Sequence, residues 1–442
     1  MKLYIRRILL IISCVLFAIV APLIILYAMG YRGELVGVAI IDAAPRKAIV
    51  EVNGKLYGTL PRSIPNLLPG RVAVRVTKEG YAPWEKKIEI LPGAATELRS
   101  IQLLPSNMDR DVLIPQSALF ALSPTSRLLA SVDAKNNLTI HDDTGVALTS
   151  PLQLSGNPTA ISWSPNEAHL LITHTKQTYE IIQLDRSALQ TVSAPAMVGG
   201  SSVAWDPSTT GRILLIDKKR SLIAYDIRTK EIEQVAQNIN AYAISGRTLI
   251  LQTIDNTLTS KRIGSTETQI HASDTQQGAQ KIIPGSNGEI ALLLGNNELT
   301  LVTKQKQIHH IAFGVQEAAW SPDGTTLLIQ TADGALHTYV PEGANTGSTA
   351  PGELHLVARL SRPITNPQWL PDGNHILYGV DNNLIFSEID TRDHAITTTI
   401  DTAYNASQYA AIEANGQSLL YIQKEKEPRS LVRTWLVVEG DR

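Results

Sequence analysis

Eight short turn sequences recur at nearly even spacing, and that spacing limits the fold of this chain more than any other feature. They are Leu122-Ser123-Pro124, Trp163-Ser164-Pro165, Trp205-Asp206-Pro207, Ile244-Ser245-Gly246, Ile283-Pro284-Gly285, Trp320-Ser321-Pro322, Trp369-Leu370-Pro371 and Glu413-Ala414-Asn415. Their third residues are separated by 41, 42, 39, 39, 37, 49 and 44 positions. Between them run short apolar segments of strand character and no helical period. A repeat of about 40–45 residues built only from strands predicts a β-propeller with four strands per blade.

The sixth unit spells out the blade. Ala318 to Trp320 is the inner strand, Pro322-Asp323-Gly324 the turn, and Thr326 to Thr331 the second strand. Asp333-Gly334 is a hairpin signal, Ala335 to Val340 the third strand and Leu354 to Leu360 the fourth. The eighth unit ends at Arg442 without a fourth strand of its own. The orphan segment 110–114, before the first unit, is expected to supply it, removing an exposed edge and burying Val112, Leu113 and Ile114. Eight blades follow. Seven is the alternative, because the fourth and fifth units lack the Ser-Pro turn. The four recurring tryptophans are expected in blade cores. The longest step holds a polar, glycine-rich insertion between Pro341 and Gly352, read as a flexible loop.

Two units, Trp320-Ser-Pro-Asp-Gly324 and Trp369-Leu-Pro-Asp-Gly373, resemble the WD-like repeats of TolB-type propellers. That resemblance implies a binding scaffold, without deciding what is bound.

Upstream, residues 38–104 read as a separate β-module. Ala48 to Val52 alternates and ends at Asn53-Gly54, a two-residue hairpin signal. Lys55 to Gly58 is the return strand, Val72 to Val76 alternates again, and Trp84 to Ile90 and Thr96 to Leu104 complete a small sandwich. The series Pro45, Ala48, Val50, Val52, Asn53-Gly54, Gly58-Thr59-Leu60-Pro61, Leu68-Pro69-Gly70, Val74, Val76 and Gly80-Tyr81 resembles the PEGA domain. The resemblance implies a non-catalytic surface module that spaces or adheres.

The first 37 residues place the chain. An apolar run fills 8–29, about 33 Å if helical, matching a bilayer's hydrocarbon core. Lys2, Arg6 and Arg7 precede it, which predicts an uncleaved single-pass anchor with residues 1–7 cytoplasmic. Residues 30–37 form a linker, and everything beyond is expected outside the cytoplasm. Ile11-Ile12-Ser13-Cys14 has the outline of a lipobox, but the chain stays apolar for fifteen residues after Cys14, so this cysteine is read as lipid-buried. It is the only cysteine, which excludes an internal disulfide and a cysteine zinc site.

Charge divides along the chain. Residues 38–104 carry ten Lys and Arg against six Asp and Glu, whereas 105–442 carry 25 against 34. A basic module beside the anchor suits anionic head groups or wall polymer. The acidic propeller lacks the basic stripe that nucleic acid demands.

Catalytic and metal signals are weak. There is no Gly-x-Ser-x-Gly elbow and no phosphate-cradling glycine loop before a helix. His309-His310, and His169 with His174, point to opposite faces of their strands, and Asp142-Asp143 and Asp381-Asn382-Asn383 are hairpin turns. No catalytic, cofactor-binding or metal residue is therefore assigned, and no cofactor is expected. The expected function is a membrane-anchored, non-enzymatic binding or scaffold protein of a cell envelope, with an envelope protein or glycan as partner. The alternative is a glycan-acting hydrolase or lyase, or a ligand sensor, with its site in the propeller's central channel.

Overall fold

The structure is a computed structural model. It describes residues 16–18, 20–22, 36–175, 178–192, 201–342, 351–406, 408–424 and 429–441. Sixteen of the 22 residues of the expected anchor lie outside them, as do positions 343–350 of the insertion. The six described residues of the apolar run are helical. Among the described residues no helix is long and apolar enough to cross a membrane. The chain divides into two compact units, Met1–Leu103 and Leu104–Arg442.

The first unit holds seven strands in two sheets. They are β1 (Gly37–Ala44), β2 (Ile49–Val52), β3 (Lys55–Thr59), β4 (Arg62–Leu67), β5 (Gly70–Thr77), β6 (Trp84–Ile90) and β7 (Ala95–Gln102). One sheet has the order β4-β1-β7 and the other β3-β2-β5-β6. Strand β6 shows the reason in its sequence: Trp84, Lys86, Ile88 and Ile90 are buried while Glu85, Lys87 and Glu89 face out. Across the outer face, Arg71 opposes Glu89 and Arg75 opposes Glu85, so opposite charges face each other across these two strands. Strand β4 was not legible in the sequence. It contains Pro65 and sits at a sheet edge, where a missing N–H costs no ladder bond.

The second unit contains, among its described residues, eight four-stranded antiparallel sheets. We number them in chain order by their inner strands: Leu119–Leu122, Pro158–Trp163, Ser201–Trp205, Ile239–Ser245, Ala279–Pro284, Val315–Trp320, Ile364–Trp369 and Ala411–Ile412. Each sheet packs on the next. Leu170 and Ile172 face sheet 1, whereas Leu171 and Ile181 of the same sheet face Trp205 and Ile213 of sheet 3. The second strands are therefore apolar on both faces and read as unbroken runs such as Ile290–Leu294. The last core joins sheet 8 to sheet 1, through Ile114, Leu420, Ile422 and Leu431 against Phe120 and Leu129. Eight cores link eight sheets into a closed ring, the arrangement of a β-propeller.

The outer strand of sheet 8 is β8 (Arg110–Pro115), which pairs antiparallel with Ser430–Trp435. Of the three side chains expected to be buried there, Ile114 is, Leu113 is half-buried, and Val112 is 59% exposed. A register shift between Leu431 and Val432 bulges β8 and turns Val112 outward.

The tryptophans act as staples between sheets. The indole N–H of Trp163 donates to Ala121 O at 3.1 Å, Trp205 to Ser162 O at 3.1 Å, Trp320 to Ile283 O at 3.0 Å and Trp369 to Ala319 O at 3.1 Å. In every case the acceptor is the penultimate residue of the inner strand of the preceding sheet. Tyr242 does similar work, its hydroxyl lying 2.7 Å from Ser202 O and 2.8 Å from Leu214 O, with its one proton available to either. Replacing Trp205 by Phe keeps most of the packing and removes the bond. We expect a loss of about 1 kcal/mol, read as a lower denaturation midpoint with unchanged slope. An unchanged midpoint would show that the indole N–H contributes nothing.

Candidate interaction surfaces

The inner strands share a local irregularity. In sheets 2 and 4–6 the register shifts at their second residue, which is Thr159, Asn240, Gln280 or Gln316. In sheet 7 the shift spans Asn366, whose φ is 49°, and in sheet 3 it spans Ser202, whose φ is 54°. All six are hydroxyl or amide residues. A bulge leaves backbone groups without ladder partners, and these short side chains supply them. Thr159 Oγ1 donates to Thr173 O and Gln280 Nε2 to Gly295 O. Gln316 Oε1 accepts from Gln330 Nε2, which also donates to Ile364 O of the next sheet. These polar residues were not singled out from the sequence, because they fall five or six positions before the turn residue depending on the unit.

One connection reaches further than any blade-to-blade contact. Residues 402–406 and 408–410 lie between the outer strand of sheet 7 and the inner strand of sheet 8. Asn366 Nδ2 of sheet 7 donates to Ala406 O at 2.9 Å and Gln408 O at 2.7 Å. Gln408 Nε2 donates to Ala118 O, at the entry to sheet 1. The Tyr409 hydroxyl donates to Glu317 Oε1 of sheet 6 at 2.7 Å. A segment touching sheets 6, 7, 8 and 1 lies at the ring's axis. Burial and the Glu317 carboxylate both hold the Tyr409 hydroxyl above the ordinary phenol range. Tyr409 is nevertheless 47% exposed. On the same end of the ring, Ile254 (58% exposed) sits in a turn of sheet 4 and Phe313 (67%) in the connection from sheet 5 to sheet 6. Three large side chains with apolar rings or branches are therefore exposed at this end of the ring.

The opposite end, which carries the Ser-Pro turns, has two clefts. One, of about 480 Å³, lies between sheets 3 and 4. The other, of about 260 Å³, lies between sheets 5 and 6 and is lined by Glu289, His309, Tyr339 and Glu342. Burial pushes the Glu289 carboxyl up, against the opposing pull of Asn287, Lys304 and His309. The sign follows directly. A raised carboxylate costs stability when ionised, and the cost fades as pH falls through its folded value. Glu289→Gln should therefore raise the melting temperature at pH 8, with the gain shrinking by pH 4.5. A gain constant across that range would remove ionisation as its cause.

The histidines and acidic turns singled out in the sequence have structural partners. His310 Nδ1 lies 2.9 Å from Glu298 Oε1, and His309 Nε2 lies 3.4 Å from Gln307 Oε1. His174 Nε2 lies 3.1 Å from Glu180 Oε2 in a buried pair, and His169 stands beside the Trp205 ring. Asp142 Oδ1 accepts from Thr144 and Val146, bonds that hold its carboxyl below the usual range, led by the Thr144 hydroxyl. Asp381 pairs with Arg362. Among the described residues, no three His, Cys, Asp or Glu converge as a metal site.

Comparison with known proteins separates the two units. Residues 36–104 match the PEGA family along the whole of the first sandwich. This module is a PEGA domain. Two solved structures resemble the rest: the computationally designed Ika8 protein (TM-score 0.51, 14% identity, 74% of this chain and 98% of that one) and the Dos1 propeller (TM-score 0.51, 13% identity, 74% and 94%). The C-terminal WD40 domain of Sif2 aligns with a TM-score of 0.47 at 13% identity, over 83% of this chain and 98% of that one. At such identities the likeness is one of fold. No curated protein matches the chain in sequence. The PEGA domain and the β-propeller are thus joined in one polypeptide.

Proposed function

We propose that this chain is a membrane-anchored scaffold whose eight-bladed propeller docks an envelope protein through the end of the ring bearing Ile254, Phe313 and Tyr409. The observation that carries the reading is the exposure of these three large side chains on one face, around an axis lined with amides and hydroxyls. The PEGA domain is a spacer between propeller and anchor in this reading, and its basic surplus favours an anionic surface. The test is capture of partners from native membranes by the full-length protein in detergent. Phe313→Ser with Ile254→Ser should lose the specific partner while keeping the wild-type melt. Retention of the same partner by the double variant would move the docking face elsewhere.

The topology belongs to the same proposal. Its support is the 22-residue apolar run and the cations before it. The protein should remain in the pellet after alkaline carbonate washing, with both modules open to protease added outside spheroplasts. Release by carbonate, or protection of the propeller, would sink the anchored, extracytoplasmic placement.

A further inference from the structure

The tripeptide Leu-Pro-Gly occurs twice in the first unit, as Leu68-Pro69-Gly70 and Leu91-Pro92-Gly93. The strands bring both copies to one end of the sandwich. Gly70 pairs with Ile90, Gly37 with Leu67 and Val38 with Ala95, so the β4–β5 turn, the β6–β7 turn and the start of β1 lie together. Gly93 N donates to Val36 O at 3.3 Å, and a Cβ on Gly37 would meet Ile90 Cγ2 at 2.4 Å, which shows how closely this end is packed. Turn chemistry calls for the proline and the glycine but not for the leucine, since the first position of a turn favours Asp, Asn or Ser. Both leucines nonetheless stand in the open. Leu68 is 64% exposed, Leu91 53%, and Val36 beside them 38%.

No charged side chain occurs from Leu67 to Gly70 or from Ile90 to Ala95. The nearest, Arg71 and Glu89, oppose each other one step back. Pro69 and Pro92 also remove two backbone donors that would lack partners in lipid. The opposite end differs in kind. Arg46 and Lys47 occupy the β1–β2 turn there, and Lys78 Nζ donates to Arg46 O at 3.0 Å. Clustered exposed aliphatics with no charge among them mark a contact surface. Their place in the chain names the occupant. Only residues 30–35 separate Val36 from the apolar run 8–29. Fully extended, that tether reaches about 25 Å at most, so an anchored run keeps this tip at the bilayer surface.

We propose that the end of the PEGA domain bearing Val36, Leu68 and Leu91 inserts into the lipid headgroup boundary and seats the domain end-on upon the bilayer. The inference rests on the anchored reading given above and adds to it a second, apolar contact that orients the domain. Side chains in such a contact reach about 5–10 Å into the boundary. Being apolar, the contact needs no anionic lipid and withstands salt. Leu56 is the internal control, since it is 62% exposed but lies elsewhere. It pairs with Glu51, which faces Arg75, five residues along β5 from Gly70. At about 3.4 Å per residue, Leu56 stands about 17 Å from the tip and stays in water.

The test is fluorescence of the full-length protein in phosphatidylcholine liposomes. Cys14→Ser removes the native thiol, and a nitrobenzoxadiazole probe is attached at Leu68→Cys, Leu91→Cys or Leu56→Cys. The probes at 68 and 91 should shift to the blue. They should also lose at least half their intensity to lipids carrying a nitroxide high on the acyl chain, equally at low and high salt. The probe at 56 should keep its aqueous emission. Adding Leu68→Asp should at least halve the quenching at 91, with an unchanged melt because that side chain is exposed. Carbonate washing separates this inference from the reading beneath it. If the protein leaves the liposomes, the anchor falls and the inserted tip with it. If the protein stays while the probes at 68 and 91 report water, the inserted tip alone falls. Blue-shifted probes that lipid nitroxides leave unquenched would mean that protein covers the tip, and equal quenching at 56 and 68 would mean that the domain lies flat. Either result overturns end-on insertion.

Discussion

Replacing residues 109–115 by a Gly-Ser linker of equal length should abolish the cooperative unfolding of the propeller. Strand β8 is the outer strand of sheet 8, and it is drawn from the opposite end of the ring's sequence. Without it, Ser430–Trp435 becomes an open edge, and the core between sheets 8 and 1 loses Ile114. Arg110 also leaves, and with it the bond from its Nη2 to Ile400 O at 2.8 Å. Point changes grade the effect within the strand. Ile114→Ala should cost about 2–4 kcal/mol, as truncations of buried side chains do. Val112→Ala, at an exposed position, should stay within about 0.5 kcal/mol. Tryptophan fluorescence melts of the full-length protein in detergent measure both. Should the linker variant melt like wild type, β8 is not what holds the ring closed.

The second large effect is expected at Asp401, the last residue of the outer strand of sheet 7. It is 2% exposed. Its Oδ2 accepts from the Tyr421 hydroxyl at 2.5 Å and from Gln423 Nε2 at 2.9 Å, both in sheet 8, and its Oδ1 accepts from Ala403 N at 2.8 Å. Arg110 of β8 stands 3.8 Å away, half-exposed, and adds little once solvent screening is counted. Burial and this carboxylate keep the Tyr421 hydroxyl protonated well above the usual phenol range, so it remains a donor. Asp401→Ala leaves a buried hydroxyl and amide without their acceptor and should cost about 3 kcal/mol. Asp401→Asn keeps an acceptor for Ala403 N and should cost less than half as much. The midpoints of urea transitions decide it, and equal losses for the two variants would mean that volume, not hydrogen bonding, is what matters here.

The parts of this fold that were legible in advance are those where one residue type answers one backbone need. Ser-Pro and Asp-Gly mark turns, and the turn-to-turn spacing set the limits of every sheet. The tryptophans were readable as buried, but not as donors, since the acceptor is a carbonyl some forty residues away in sequence. Strand β4 escaped because Pro65 is a breaker everywhere except at an edge. The bulge residues escaped because hydroxyls and amides scattered along apolar strands carry no periodic signal. The axial segment 402–410 has no sequence signature, because its importance lies in touching four sheets at once.

The join between β8 and Ser430–Trp435 also governs when the protein can finish folding. Its two halves stand more than 300 positions apart, Ile114 opposite Leu431, so the final sheet cannot exist until nearly the whole polypeptide has been synthesised. Until then β8 waits unpaired beside seven growing sheets. A chain cut short before Ser430 has no means of sealing itself and keeps two sticky edges. The ring thus seals only in a chain that reaches Ser430–Trp435, and a shorter chain leaves open the edges through which strands pair between molecules.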